Sequence, residues 1–170
     1  MTDIKTLELS GESLHLLDQR KLPLTREIYA CHSYEDVEFA IRDMVVRGAP
    51  AIGATAAYGV YLAALEFRDF PKEAFFSKLR EAAHVLNKAR PTAVNLSWAV
   101  KRMLETAESS EALNTAQITE RLLSEARTIQ QEDIETNRRM GGHGNELIPP
   151  KATILTHCNT GALATAGWGT

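Results

Sequence analysis

The sequence predicts an α+β fold, and three observations carry that expectation. The opening stretch "IKTLELSGESLHLLDQ" alternates apolar and polar residues about a Ser-Gly pair, the pattern of a β-hairpin. From Ser33 to about residue 140, apolar side chains recur at helical spacing, with prolines at several starting positions. Near the end, "ATILTHC" is a continuous β-branched apolar run followed by small residues, as at a buried parallel strand leading into a helix.

The elements follow in order. Leu7 and Leu9, then Leu14 and Leu16, supply the inward positions of the hairpin, and "KLPLTREIYA" continues extended through Pro23. Ser33 is placed to cap a helix whose first turn holds Glu35 and Asp36, where the helix dipole favours acids. Val37, Ala40, Ile41, Met44 and Val45 fall on one face, and this helix is expected to end near Arg47-Gly48. Pro50 opens a second helix, "AIGATAAYGVYLAAL", so uniformly small and apolar that it reads as buried on all sides. Pro71 starts a third helix with Phe75, Leu79, Ala82, Ala83 and Leu86 inward, and Pro91 a fourth. Ile118, Leu122, Ala126 and Ile129 mark a longer fifth helix with charge pairs such as Glu135 with Arg139. Gly141, Gly142 and Gly144 are expected to stop it, and Pro149-Pro150 to form a rigid link.

After that link, "ATILTHC" and "NTGALATAG" read as the first βα unit of a truncated Rossmann-like α/β domain. One such unit cannot bury both faces of its strand. The expected organisation is a hairpin and helical domain over 1–112, a connecting helix and linker over 113–150, and the start of the second domain over 151–170.

A net charge of -3 gives no basis for a nucleic-acid or anionic-membrane partner. "MTDIKTLELSGESLHL" holds no apolar core of signal-peptide length, so a cytoplasmic location is the expectation. Cys31 and Cys158 are too few for a disulfide framework or a structural zinc site. His15, His32, His84 and His143 show no metal-ligand spacing, and "GGHG" lacks the strand context of a dinucleotide fingerprint. Neither a metal nor a cofactor is expected. Trp98 and Trp168 are read as packing residues.

The stretch "RGAPAIG", residues 47–53, carries the sharper chemistry. A helix beginning at Pro50 leaves its first amides unpaired and pointing toward Arg47, Gly48 and Ala49. Partial positive charge collects there, Arg47 adds a full charge, and Gly48 has no side chain to block an approaching oxygen. The stretch is therefore either an anion site or a tight helix corner with a surface arginine. "ARPTAVNLSWAV" repeats the arrangement with Arg90, either a second guanidinium for one phosphate or a solvated side chain. Cys158 lies at the carboxyl end of the predicted strand, before a helix start that favours a thiolate. It is either a reactive thiol or a buried structural cysteine, and the second description suits Cys31 better. Along a strand Thr156 would share its face, whereas His157 would not.

Four blocks, "LLDQRKLP", "AIRDMVVRGAPAIGATAAYG", "RPTAVNL" and "LTHCNTGALATAGWGT", resemble the S-methyl-5-thioribose-1-phosphate isomerase family. That family belongs to the superfamily of the regulatory subunits of initiation factor 2B. The resemblance implies an aldose–ketose isomerisation of a small sugar phosphate in methionine salvage, without metal or nucleotide, in a protein that forms homodimers at full length. It implies that Arg47, Gly48, Ala49 and Arg90 bind substrate and that Cys158 is catalytic. The family's acid-catalyst aspartate and further substrate contacts would lie beyond Thr170. Two other readings stay open. One is an isomerase of another sugar phosphate, such as ribose 1,5-bisphosphate or 5-deoxyribose 1-phosphate. The other is a non-catalytic regulatory subunit of the initiation-factor type.

Overall fold

The computed structural model describes residues 4–169; the hairpin, the helices and both cysteines fall within them. Residues 1–3 and Thr170, counted above in the first and last domains, lie outside. Alternation in the first segment forms the expected hairpin. Strand β1 (Leu7–Ser10) pairs antiparallel with β2 (Ser13–Leu17), Leu7 opposite Leu16 and Leu9 opposite Leu14. Extended chain after the hairpin becomes a further strand, β3 (Ile28–Cys31), antiparallel to β2 with Leu14 opposite Cys31. Leu7, Leu14, Leu16 and Cys31 share the buried face. Burial pushes the Cys31 thiol up to about 12, so it stays protonated, as a structural cysteine does.

Between β2 and β3 the chain turns through a cis Leu22–Pro23 bond. Asp18 is buried at the head of this turn, and Arg20 donates to its carboxylate at 2.9 and 2.7 Å. That guanidinium holds the Asp18 carboxyl below its usual range.

Helix α1 (Tyr34–Arg42) begins in a capping box: the Asp36 amide donates to Ser33 Oγ, and the Ser33 amide donates back to the Asp36 carboxylate. Helix α2 (Ala49–Phe67) is buried around nearly its whole circumference and packs against α1, α3, α4 and α5. Helices α3 (Lys72–Ala89), α4 (Val94–Ser109) and α5 (Thr115–Leu147) enclose it. Small residues along α2 let four helices approach one axis, which accounts for a run of alanine and glycine that is apolar without being amphipathic. The sheet packs against α1 through β3, its buried leucines joining the same core.

The architecture is thus mostly helical with a small antiparallel sheet, and it departs from the sequence expectations in several places. Helix α1 stops at Arg42 with Asp43 as its cap, before Met44, which has φ +60 and is exposed. Pro91 does not begin α4; it sits in a turn closed by the Ala93 amide donating to the Arg90 carbonyl at 2.9 Å, and the helix starts at Val94. Gly141, Gly142 and Gly144 do not stop α5, because nothing competes with the helix there and each glycine costs only about 1 kcal/mol. Glu135 accepts from Gln131 at 2.8 Å, and Arg139 turns to Thr136 rather than to Glu135.

The largest departure is in the last segment. Residues 152–157 form no regular secondary structure, and the predicted βα unit is absent among the described residues. A parallel strand exists only through hydrogen bonds to a neighbouring strand, and no described residue supplies one. Ile154 and Leu155 are therefore exposed, and a single 3-10 turn, Ala162–Ala164, stands in place of the helix.

Candidate functional site

The start of α2 is built as "RGAPAIG" implies. Gly48 is the N-cap at φ +96, Pro50 occupies the first turn, and no side chain caps the free amides. The first helical bond runs from the Ile52 amide to the Gly48 carbonyl at 2.9 Å, which leaves the amides of Ala49 and Ala51 open. Helix α4 also begins without a side-chain cap, at Ala93. These two starts meet. A Cβ on Gly53 would lie 3.0 Å from the Asn95 carbonyl oxygen, so the first turns of α2 and α4 touch through backbone.

Beside that contact is a cavity of about 250 Å³. Pro50, Gly53 and Ala54 border it from α2, Asn95 and Trp98 from α4, and Glu132, Asp133 and Thr136 from α5. Its carboxylates are already engaged. Arg102 donates to Glu125 and to Glu132 while lying 5.5 Å over the Trp98 ring, and this guanidinium lowers the Glu132 carboxyl. Asp133 accepts from the Ala166 amide at 2.7 Å and from Asn137 Nδ2 at 3.0 Å; burial raises its carboxyl, partly opposed by these bonds. Trp98 and Trp168 are half exposed, each under an arginine, Arg102 and Arg138 respectively, so neither is the packing residue expected.

The cations of the two corners are uncommitted by contrast. Arg47 is exposed and Arg90 half-buried, and neither side chain has a hydrogen bond or ion pair among the described residues. Ala49 is exposed at the same corner. Free guanidiniums beside open amides suit an anionic oxygen ligand.

Gly48 does something the sequence did not suggest. A Cβ there would fall 2.4 Å from both the Cα and the carbonyl oxygen of Ala164. Its missing side chain therefore admits the backbone of the carboxyl-terminal segment rather than leaving the position open to a ligand. That segment is held from several sides. Thr6 Oγ1 donates to the Ala162 carbonyl, and Gln19 Nε2 donates to the Leu163 carbonyl at 2.7 Å. Cys158 lies just ahead of the turn, exposed, with φ +65. Because no strand forms, the alternation that would set Thr156 on its face and His157 on the other does not apply, and only the short 3-10 turn comes after it. Arg47, Gly48 and Ala49 are thus gathered at one corner, α4 starts beside it, and Cys158 is carried on the segment laid across Gly48.

A central helix with four others packed around it, and a three-stranded antiparallel sheet whose leucines join the same core, define the class: a mostly helical α+β module. Its family follows from comparison: the chain belongs to the initiation factor 2 subunit family, whose model matches residues 45–166. A methylthioribose-1-phosphate isomerase of Thermoanaerobacter sp. (strain X514) is 57% identical over 100% of this chain and 49% of its own length. Among solved structures, 5-methylthioribose 1-phosphate isomerase from Pyrococcus horikoshii OT3 superposes with TM-score 0.91 at 40% identity, over 98% of this chain and 46% of that one. Translation initiation factor eIF-2B, subunit delta, from A. fulgidus gives 0.87 at 39%, over 98% and 48%. The chain spans about half the length of the curated relatives it matches.

Proposed function

We propose that the protein carrying this chain is an aldose–ketose isomerase that converts 5-methylthioribose 1-phosphate to 5-methylthioribulose 1-phosphate in methionine salvage. The observation that carries this reading is 57% identity, along the whole chain, to a methylthioribose-1-phosphate isomerase. In the reaction the bond from C1 to the ring oxygen breaks and that oxygen takes a proton. The hydrogen on C2 moves to C1, and the C2 hydroxyl loses its proton to become the ketone. Phosphate on C1 prevents opening to a free aldehyde, so proton transfer at the ring oxygen and at C2 must be assisted.

Arg47, the Gly48–Ala49 corner with its open Ala49 amide, and Arg90 take the phosphate in this reading, and Cys158 stands at the reacting carbons. Support for the first role is the uncommitted state of both guanidiniums beside uncapped helix starts. The proton for the ring oxygen comes from a group outside this chain. Residues 1–112 act as the substrate-gripping domain, 113–150 as the connection, and 151–170 as the beginning of a Rossmann-like domain whose strand pairs with others beyond this chain. The full-length protein is a homodimer, and its location is cytoplasmic, where phosphorylated sugars are held.

A regulatory reading is favoured by one observation, the 39% identity to an eIF-2B delta subunit. It leaves the free arginine corners and an exposed Cys158 without a task. Arg47→Ala separates the two. In the protein from the complete reading frame, KM for 5-methylthioribose 1-phosphate is expected to rise about tenfold or more with kcat little changed, the scale of one charge-assisted hydrogen-bond pair. An unchanged KM rules out the phosphate role for Arg47.

A further inference from the structure

The motif "LLDQRKLP" is not used by any step of the proposed reaction, yet the structure gives its glutamine a specific task. Gln19 is 8% exposed, although it belongs to a turn between strands. Its backbone amide donates to the Val45 carbonyl at 3.0 Å, which ties the turn to the stretch leading into Arg47-Gly48. Its side-chain amide donates to the Leu163 carbonyl at 2.7 Å. One residue therefore bonds to the arginine corner with its main chain and to the segment behind Cys158 with its side chain.

Neighbouring contacts close around the same segment. Thr6, wholly buried, donates its hydroxyl to the Ala162 carbonyl. From α5, Asp133 accepts the Ala166 amide at 2.7 Å. Underneath, Gly48 lets the Ala164 backbone lie directly on the α2 start. Carbonyls and amides within one short turn are thus satisfied by side chains from the residue preceding β1, the β2–β3 turn and α5. These bonds are between buried or half-buried groups, where leaving a partner unmade costs about 1–3 kcal/mol. Such a turn has one placement.

We propose that Gln19, with Thr6 and Asp133, is a positioning set that fixes the turn behind Cys158 on the Arg47 corner, so that the thiol and the phosphate-binding cations keep one relative geometry. The assignment rests on the isomerase reading for its catalytic consequence but not for the clamp itself. None of these side chains touches the reacting atoms in this scheme; each acts through the backbone of residues 162–166.

The test uses Gln19→Ala, which retains the backbone bond to Val45, and Thr6→Val, which removes a donor without changing side-chain shape. Amide hydrogen exchange is read at Ala164 and Ala166 and, as reference, along α2. Both variants are expected to exchange about tenfold faster at the two alanines, with α2 unchanged. Loss of a few bonds opens the turn locally and leaves the core closed. In the protein from the complete reading frame, kcat is expected to fall about tenfold or more with KM within about threefold, because small misplacements of a reacting group cost rate. Unchanged exchange at Ala164 and Ala166 overturns the clamp. Faster exchange there with kcat intact overturns the positioning role and leaves a purely structural tie. Equal acceleration along α2 means that the set holds up the whole core, which also overturns it. A parent protein inactive on the sugar phosphate removes the isomerase reading, while the exchange data still decide the clamp.

Discussion

Replacing Gly48 with alanine is expected to lower stability by about 3 kcal/mol and Tm by roughly 10 °C. Two costs add. At φ +96 an L-residue is strained, and the new Cβ would fall 2.4 Å from the Ala164 backbone, which cannot rotate away as a side-chain tip can. Either the carboxyl-terminal turn lifts off the α2 start or the start itself shifts, and in both cases the Arg47 corner loses its relation to the segment carrying Cys158. Gly11→Ala is the comparison. Gly11 also has positive φ, +60, but nothing lies within 4 Å of its would-be Cβ, so about 1 kcal/mol is expected there. Thermal melts of the two variants measure the difference. Equal, small effects would show that the contact between Gly48 and Ala164 does not hold in solution.

Cys158→Ser is expected to lower turnover about a hundredfold or more, the scale of removing a positioned acid–base group. Tm should stay within about 1 °C, since substitutions of exposed side chains away from special features change little. Cys158 is exposed and has no hydrogen-bond partner among the described residues, so the loss would be chemical rather than structural. A hydroxyl is a far weaker acid than a thiol, and serine keeps the shape while removing that property. Turnover matching the parent protein would end the catalytic assignment of Cys158.

Legibility of the sequence divides along the range of the forces involved. Local chemistry is plain in it: the Ser33 capping box, the hairpin about Gly11, and the all-apolar α2 follow from neighbours in the chain. So is the corner at Arg47–Ala49, because a helix start is a local object. Residues 152–157 mislead because β-branched composition describes a strand's preference, whereas its existence depends on a partner elsewhere. The glycines after Met140 mislead for a related reason, since a helix of 33 residues propagates through a few weak positions once it is nucleated and packed. Gln19, Thr6 and Asp133 give no local sign of their role, because their partners are backbone groups far along the chain. For Gln19 a signal exists, the motif "LLDQRKLP", but nothing local to it says what its amide reaches. Gly48 matters for the property its sequence context suggests, a missing side chain, but the group that comes close to it is Ala164.

Action on a sugar 1-phosphate through the Arg47 corner and Cys158 is tested most directly by proton NMR. The protein from its complete reading frame is offered 5-methylthioribose 1-phosphate and ribose 1,5-bisphosphate together. The expected result is growth of 5-methylthioribulose 1-phosphate signals with the bisphosphate unconsumed. Conversion of the bisphosphate instead would move the activity to another sugar phosphate. Conversion of neither would contradict an isomerase function and leave the regulatory reading.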